Sequence, residues 1–303
     1  QKALDFYQRA WVIYRKAFPE HGAVQIKFAD VDIVDTMVDV INKQYVYHQK
    51  PINKGEIMGG LLLHNLATLY LTLNQPRKAL ENFLQALFIY NRLGKKEDKG
   101  SIFSSIGNVY NKLGYNQKAL KYYQQALAIS RKMSDKQEEG NVLANIGLIH
   151  NSLGNYQEAL KNLEDALAKQ RQVGNKNQER RVLSNIGLTY TLLGEYQKAK
   201  DSFQQSLILS KGLGHGENWQ THGGLALIEA ERQQSESAVA HFEQAIKNIE
   251  TLRTGLSEKE YKLSFMEDKF FFFFVFIKLL QVLHEISPNK GYDRKALEIF
   301  ERK

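Results

Sequence analysis

Asn65, Ser105, Asn145 and Asn185 follow one another at intervals of forty residues. Each is short and polar, and each side chain can both donate and accept a hydrogen bond. Within one unit, Ser101, Ser104, Asn108 and Asn111 share a helix face with Ser105. Asn141, Ala144, Leu148 and Asn151 form the next set, and Arg181, Ser184, Leu188 and Thr191 the one after; Leu61, His64, Thr68 and Leu71 precede them. An ordinary solvated helix face favours Lys, Glu or Gln. Asn, Ser and Thr each cost a few tenths of a kcal/mol there. A repeated short amide has a use: it can donate and accept hydrogen bonds to the main chain of an extended peptide.

Bond-making chemistry has few candidates. There is no Cys, so there is no thiolate nucleophile, disulfide framework or thiolate metal site. The eight His residues, His21, His48, His64, His150, His215, His222, His241 and His284, are scattered singly. His215 and His222 are seven apart across glycines and make a poor metal pair; His150 and His241 read as packing residues. Asp30, Asp32, Asp35 and Asp39 are close in sequence, but no His or Glu completes a metal set, so they read as a solvated acidic face. Gly22, Gly55, Gly59 and Gly60 lack the spacing of a phosphate-binding loop. No enzyme, cofactor or metal is expected.

The polar row needs helices to carry it. Phe103, Ile106, Gly107, Tyr110 and Leu113 fall on one face of a helix, and Leu113-Gly114 ends it. Ala119, Leu120, Tyr123, Ala126 and Leu127 form one face of a second helix. Gly107, Gly147 and Gly187 are forty apart, as are Gly114, Gly154 and Gly194, and Ala119, Ala159 and Ala199. A fixed period of this size predicts a repeat solenoid. The small Gly107 and Ala119 let the two backbones approach, with Tyr110 and Tyr123 filling the space around them. A large side chain at Ala159 would overpack that contact by roughly 1–3 kcal/mol.

Leu/Ile-Gly-x-x-Tyr, Leu-Gly-x-Tyr and the paired Ala-Leu steps resemble the tetratricopeptide (TPR) repeat, most clearly from Asn53 to Leu252. The family's unit is about 34 residues. The six extra residues here add roughly 1.7 helical turns, which resembles the longer TPR subclass found in peptide-binding and protein-binding adaptors. The resemblance implies an all-α, right-handed α-solenoid of antiparallel helix pairs with the first helices lining a concave groove. It places Asn65, Ser104, Ser105, Asn108, Asn111, Asn145, Asn151, Arg181 and Asn185 there as the peptide-binding set. A second use stays open: the amides could hydrogen-bond between neighbouring repeats and stiffen the stack.

In order, residues 1–22 read as a partial repeat holding only a second helix, and 23–53 as a degenerate helical segment and linker. Clear repeats follow at 54–94, 95–134, 135–174 and 175–214. A divergent repeat covers 215–254, with Gly223-Gly224 weakening its first helix. Asn53 is a candidate cap with Glu56. Asn74 replaces the turn glycine and tolerates the same left-handed backbone, with Pro76 opening the next helix. Residues 255–303 hold a long apolar helix and a truncated repeat. Phe270 to Phe276 is apolar all round but is broken by Lys278, so a buried helix is expected and a membrane span is not. Leu263-Ser264-Phe265, Leu279-Leu280, Lys290-Gly291-Tyr292 and Ala296-Leu297-Glu298 resemble the end of the array in bacterial TPR–CHAT proteins. That resemblance implies a caspase-like protease downstream.

Net charge is +8, from 41 Lys and Arg against 33 Asp and Glu. The signs are mixed, as in Lys95-Lys96-Glu97-Asp98-Lys99, so a solvated surface is expected and a nucleic acid partner is not. The start is not a signal peptide, and a cytoplasmic setting is expected. The first reading is a non-catalytic peptide- or protein-binding scaffold serving as the regulatory array of a TPR–CHAT protein. The rivals are a free-standing adaptor or signalling-peptide sensor, and a scaffold that self-associates through the Phe6/Trp11 end or the Phe270–Phe276 helix.

Overall fold

The computed structural model describes residues 54–94, 96–212, 219–254 and 269–301, together with Val38 and Met266. The first 53 residues therefore lie outside the described set apart from Val38. With them go the partial and degenerate repeats, Phe6, Trp11, the four-Asp cluster, the Asn53 cap, His21 and His48. His215 and Leu263-Ser264-Phe265 lie outside it too.

All regular structure among the described residues is helical. Twelve α-helices and one 3-10 turn occur there. They are α1 (Lys54–Thr72), α2 (Pro76–Arg92), α3 (Lys96–Lys112), α4 (Asn116–Met133), α5 (Lys136–Ser152), α6 (Tyr156–Val173), α7 (Lys176–Leu192), α8 (Tyr196–Gly212), α9 (Trp219–Glu231), α10 (Ser235–Thr254), α11 (Phe270–Ile286) and α12 (Tyr292–Glu301). They are arranged as antiparallel pairs joined by short turns, the architecture the period predicts. The chain divides into two compact units, Gln1–Leu153 and Gly154–Lys303.

In the first unit α1 packs on α2, α3 on α4, and α5 on α4. A side-chain carbon placed on Gly107 would stand 2.6 Å from the Tyr123 ring, so only glycine allows α3 and α4 to cross this closely. Ala119 is fully buried at the same crossing, and Tyr110 stacks on Tyr122 with centroids 5.4 Å apart. The turns keep their geometry where glycine is missing. Asn74 takes φ 58° and Ser134 takes φ 57°. Pro76 opens α2 as expected.

In the second unit α7 pairs with α8, α9 with α10, and α11 with α12. Gly223 and Gly224 do not break α9. They are packing residues: Gly224 lies directly against the Phe203 ring, and a side chain on Gly223 would meet Phe272 at 2.7 Å. The cost of two mid-helix glycines is thus offset by close approach to two rings. The apolar run forms α11. Phe272, Phe273 and Phe276 are buried in a core with Phe242, Ile246, Ile249 and Ile299, whereas Phe274 is half exposed. Among the described residues no helix is long and apolar enough to cross a membrane.

Candidate functional site

The first helices α1, α3 and α5 of the first unit touch in succession, as do α7 and α9 of the second. Their polar positions therefore come side by side within each unit. Asn65, Ser105, Asn108, Asn145 and Asn185 stand at half-buried positions on these helices, neither core nor fully solvated.

In the first unit several of these side chains bond across the repeat boundary. Asn145 Nδ2 donates to Asn108 Oδ1 at 3.1 Å. The Tyr123 hydroxyl donates to the same oxygen at 2.7 Å, and burial raises the pKa of that phenol well above 10.0. His64 Nε2 lies 3.3 Å from Ser105 Oγ. Ser104 is buried and bonds the Glu138 carboxylate, to which Asn141 also donates at 3.3 Å. Burial nonetheless pushes Glu138 above its ordinary value of 4.5, helped by the nearby Asp135. Asn151 is buried. Asn65 and Asn111 sit half-buried on these helices, with their side-chain amides outside the bonds just described.

In the second unit Ser184 is buried and hydrogen-bonds Thr221, with Ser206 Oγ 3.2 Å away. Ser206 Oγ also donates to the Arg180 carbonyl at 3.0 Å. Asn185 is half-buried. Thr189 and Thr191 donate to carbonyls of their own helix, each at 2.9 Å, so those hydroxyl protons are committed within the helix. Arg181 is exposed and donates to Gln178 at 3.2 Å. Beside these polar groups Leu188, Leu192 and Leu227 are exposed at 41%, 45% and 37%. The face therefore offers both amide and apolar contact. A ligand there would meet hydrogen-bonding groups and hydrocarbon, with no nucleophile paired to a base.

Three arrangements escaped the sequence reading. Arg131 bonds Glu139 at 3.0 Å, and Arg171 bonds Glu179 at 2.9 Å with Lys176 at 2.8 Å on the other oxygen. Burial alone would raise the Glu179 carboxyl, but the bonds from Lys176 and Arg171 outweigh it and leave the group below 4.5. The signal was present, because both Arg and both Glu repeat at forty residues. The second is the buried Ser184, Ser206 and Thr221 cluster. The third is His222 and His241, whose Nδ1 atoms lie 2.9 Å apart, so one ring donates and the other accepts. Glu229, buried in α9, accepts from Ser237 Oγ at 2.7 Å and lies 3.7 Å from His241 Nε2 and 3.6 Å from Lys200 Nζ. Among the described residues no three His, Asp or Glu side chains are grouped to hold a metal ion.

A search of curated proteins finds no match. Among solved structures the chain resembles a Rap protein complexed with Competence and Sporulation Factor, at TM-score 0.61 and 13% identity, covering 100% of this chain and 99% of that one. It resembles BtubC (BKLC) from P. vanneervenii at TM-score 0.56 and 20% identity, covering 77% of this chain and 95% of that one. It also resembles PilF of Pseudomonas aeruginosa at TM-score 0.55 and 17% identity, covering 82% and 96%. The sequence profile described as tetratricopeptide repeat matches residues 60–132, 138–211 and 178–251, which is more than half of the chain. With its paired helices and forty-residue register, this chain belongs to the tetratricopeptide repeat family.

Proposed function

We propose that the chain is a non-catalytic adaptor whose first-helix faces, one in each unit, offer a seat for a peptide or protein segment. The observation that carries this is the division of labour among the amides. Asn108 and Asn145 bond each other across a repeat boundary, while Asn65 and Asn111 in the first unit and Asn185 in the second stay half-buried on their own first helices, outside that bond. Exposed Leu188 and Leu227 supply apolar contact in the second unit. One similar structure holds Competence and Sporulation Factor, which supports a ligand-binding reading.

The test is a peptide-array screen of the parent chain followed by Asn65→Ala, Asn111→Ala and Asn185→Ala. Weakening by each, with folding intact, is expected. Undiminished binding by all three would overturn the assignment of these amides to a ligand. The Asn108–Asn145 bond, with His64–Ser105 and Ser184–Thr221, favours a second role for those residues, as ties between repeats.

A further inference from the structure

Gly107 in α3 and Ala226 in α9 are the small residues of their crossings. The residue four before them is Phe103 or His222, and the residue three after is Tyr110 or Glu229. Ala119 in α4 and Ala238 in α10 are the buried alanines of the second helices, and the residue three after them is Tyr122 or His241. One register thus holds an aromatic trio in the α3–α4 pair and an ionisable trio in the α9–α10 pair. In the first, Tyr122 stacks on Tyr110, and its centroid lies 6.1 Å from that of Phe103. In the second, the His222 and His241 centroids are 5.1 Å apart, and their Nδ1 atoms face each other at 2.9 Å. His222 and Glu229 are buried and His241 is half-buried. Charged groups reach this trio from several helices. Glu229 of α9 presents one carboxylate oxygen 3.7 Å from His241 Nε2, and Ser237 of α10 donates to that oxygen at 2.7 Å. Lys200 of α8 brings Nζ to 3.6 Å from the other oxygen. α7 meets α9 through Ser184 on Thr221. Its Glu179 is held by Arg171 and Lys176, and its Arg181, beside Arg180, donates to Gln178. At the start of α11, Lys269 Nζ stands 5.8 Å from the centre of the Trp219 ring, three residues before His222.

A bond between two imidazoles needs one proton between the facing nitrogens. With both rings neutral, one donates and the other accepts. One added proton leaves the bond in place, and the imidazolium then sits beside the Glu229 carboxylate. A second added proton puts N–H on both facing atoms. The bond is lost and two cations meet, with the Lys200 ammonium on the far side of Glu229. We propose that this pair is a proton-sensitive tie between α9 and α10, closed with no added proton or one and opened by the second. Imidazole takes up protons near about pH 6.5, so opening belongs to mild acid, above the range in which ordinary carboxylates titrate. The sign follows from proton counts. The open pair accepts two protons and the closed pair at most one, so the closed form is favoured at pH 7 and loses ground as pH falls through that range. α9 depends on such ties, because Gly223 and Gly224 lower its own helical preference. It also carries Leu227 of the first-helix face in this unit, so acid sets how firmly that residue is presented. The tie does not rest on the peptide reading, and either can fail without the other.

The test compares the parent chain with a triple variant, His222→Phe, Glu229→Tyr and His241→Tyr, which copies the trio of the α3–α4 pair and removes the titrating groups. Hydrogen exchange over Trp219–Glu231 is followed by mass spectrometry at pH 7 and pH 5.5, corrected for the intrinsic pH dependence of exchange. The parent is expected to lose protection there by about tenfold, the scale of one hydrogen bond to a charged group, and the triple variant to keep it. No loss in the parent, or equal loss in both, overturns the proposal. Imidazole nitrogen NMR spectra of the parent decide the matter even where the variant does not fold. At pH 7 one Nδ1 of the pair should carry a proton and the other should be bare. Two bare Nδ1 atoms overturn the proposal.

Discussion

Asn145 Nδ2 donates to Asn108 Oδ1 at 3.1 Å across the boundary between two repeats. The oxygen is shared with the buried Tyr123 hydroxyl, so one short amide fixes both the inside of its own pair and the approach of the next.

Truncating Asn108 leaves a buried phenol without this acceptor. Asn108→Ala is expected to lower stability by about 1–3 kcal/mol, and Asn145→Ala by about 1 kcal/mol or less. Urea denaturation of both and of the double variant checks this. The double variant should cost less than the sum, because the two residues share one bond.

Crossing geometry gives a second expectation. Gly187→Ala puts a methyl 2.8 Å from the Phe203 ring, which should destabilise by roughly 1–3 kcal/mol. Phe203→Leu in the same chain should recover part of that loss. A double variant that is additive would show that the ring is not what the glycine accommodates.

The turns allow a gain. Ser134 and Gln233 hold φ near 57° and 59°, a left-handed backbone that L side chains adopt at a cost. Ser134→Gly and Gln233→Gly should each stabilise by up to about 1 kcal/mol, less the entropy glycine loses on folding. Thermal melts of the single variants measure it. Gly174→Ala, at φ 72°, should move the melt the other way.

Two carboxylates should respond to acid with opposite signs. The folded chain holds Glu179 below 4.5, so its contribution is present above that value and is lost as pH falls through the lower folded value. Glu138 is held above 4.5, so its charge opposes folding near neutrality and that penalty fades on acidification. At pH 7 Glu179→Gln should therefore destabilise, by on the order of 1 kcal/mol given its half-exposed partners. Glu138→Gln should be neutral or stabilising. Urea midpoints at pH 7 and pH 4 should show both differences shrinking at the lower pH.

Much of the architecture was legible because its causes are local. The forty-residue recurrence of Gly107, Ala119 and Gly114 states the helix, the crossing and the turn within a few residues of one another. Asn74 and Pro76 could be recognised as a replacement turn from chemistry alone. What offsets the cost of Gly223 and Gly224 was not legible, because it comes from Phe203 and Phe272, the latter far along the chain. The amide row was visible as a row. What Asn108 does was not, because whether it meets Asn145 depends on the separation of α3 and α5, which packing sets. His222 and His241 were hidden for a similar reason: they are nineteen residues apart, in a repeat whose register has slipped by one.

Phe203 touches both Gly187 and Gly224, so a single ring is common property of two neighbouring hairpins. A module excised at the forty-residue period would carry the ring away with half its seat missing, or leave a glycine notch open to water. Grafting from this stretch into another scaffold therefore has to move α7 through α10 together, and recombination at the period itself breaks a contact that belongs to neither side alone.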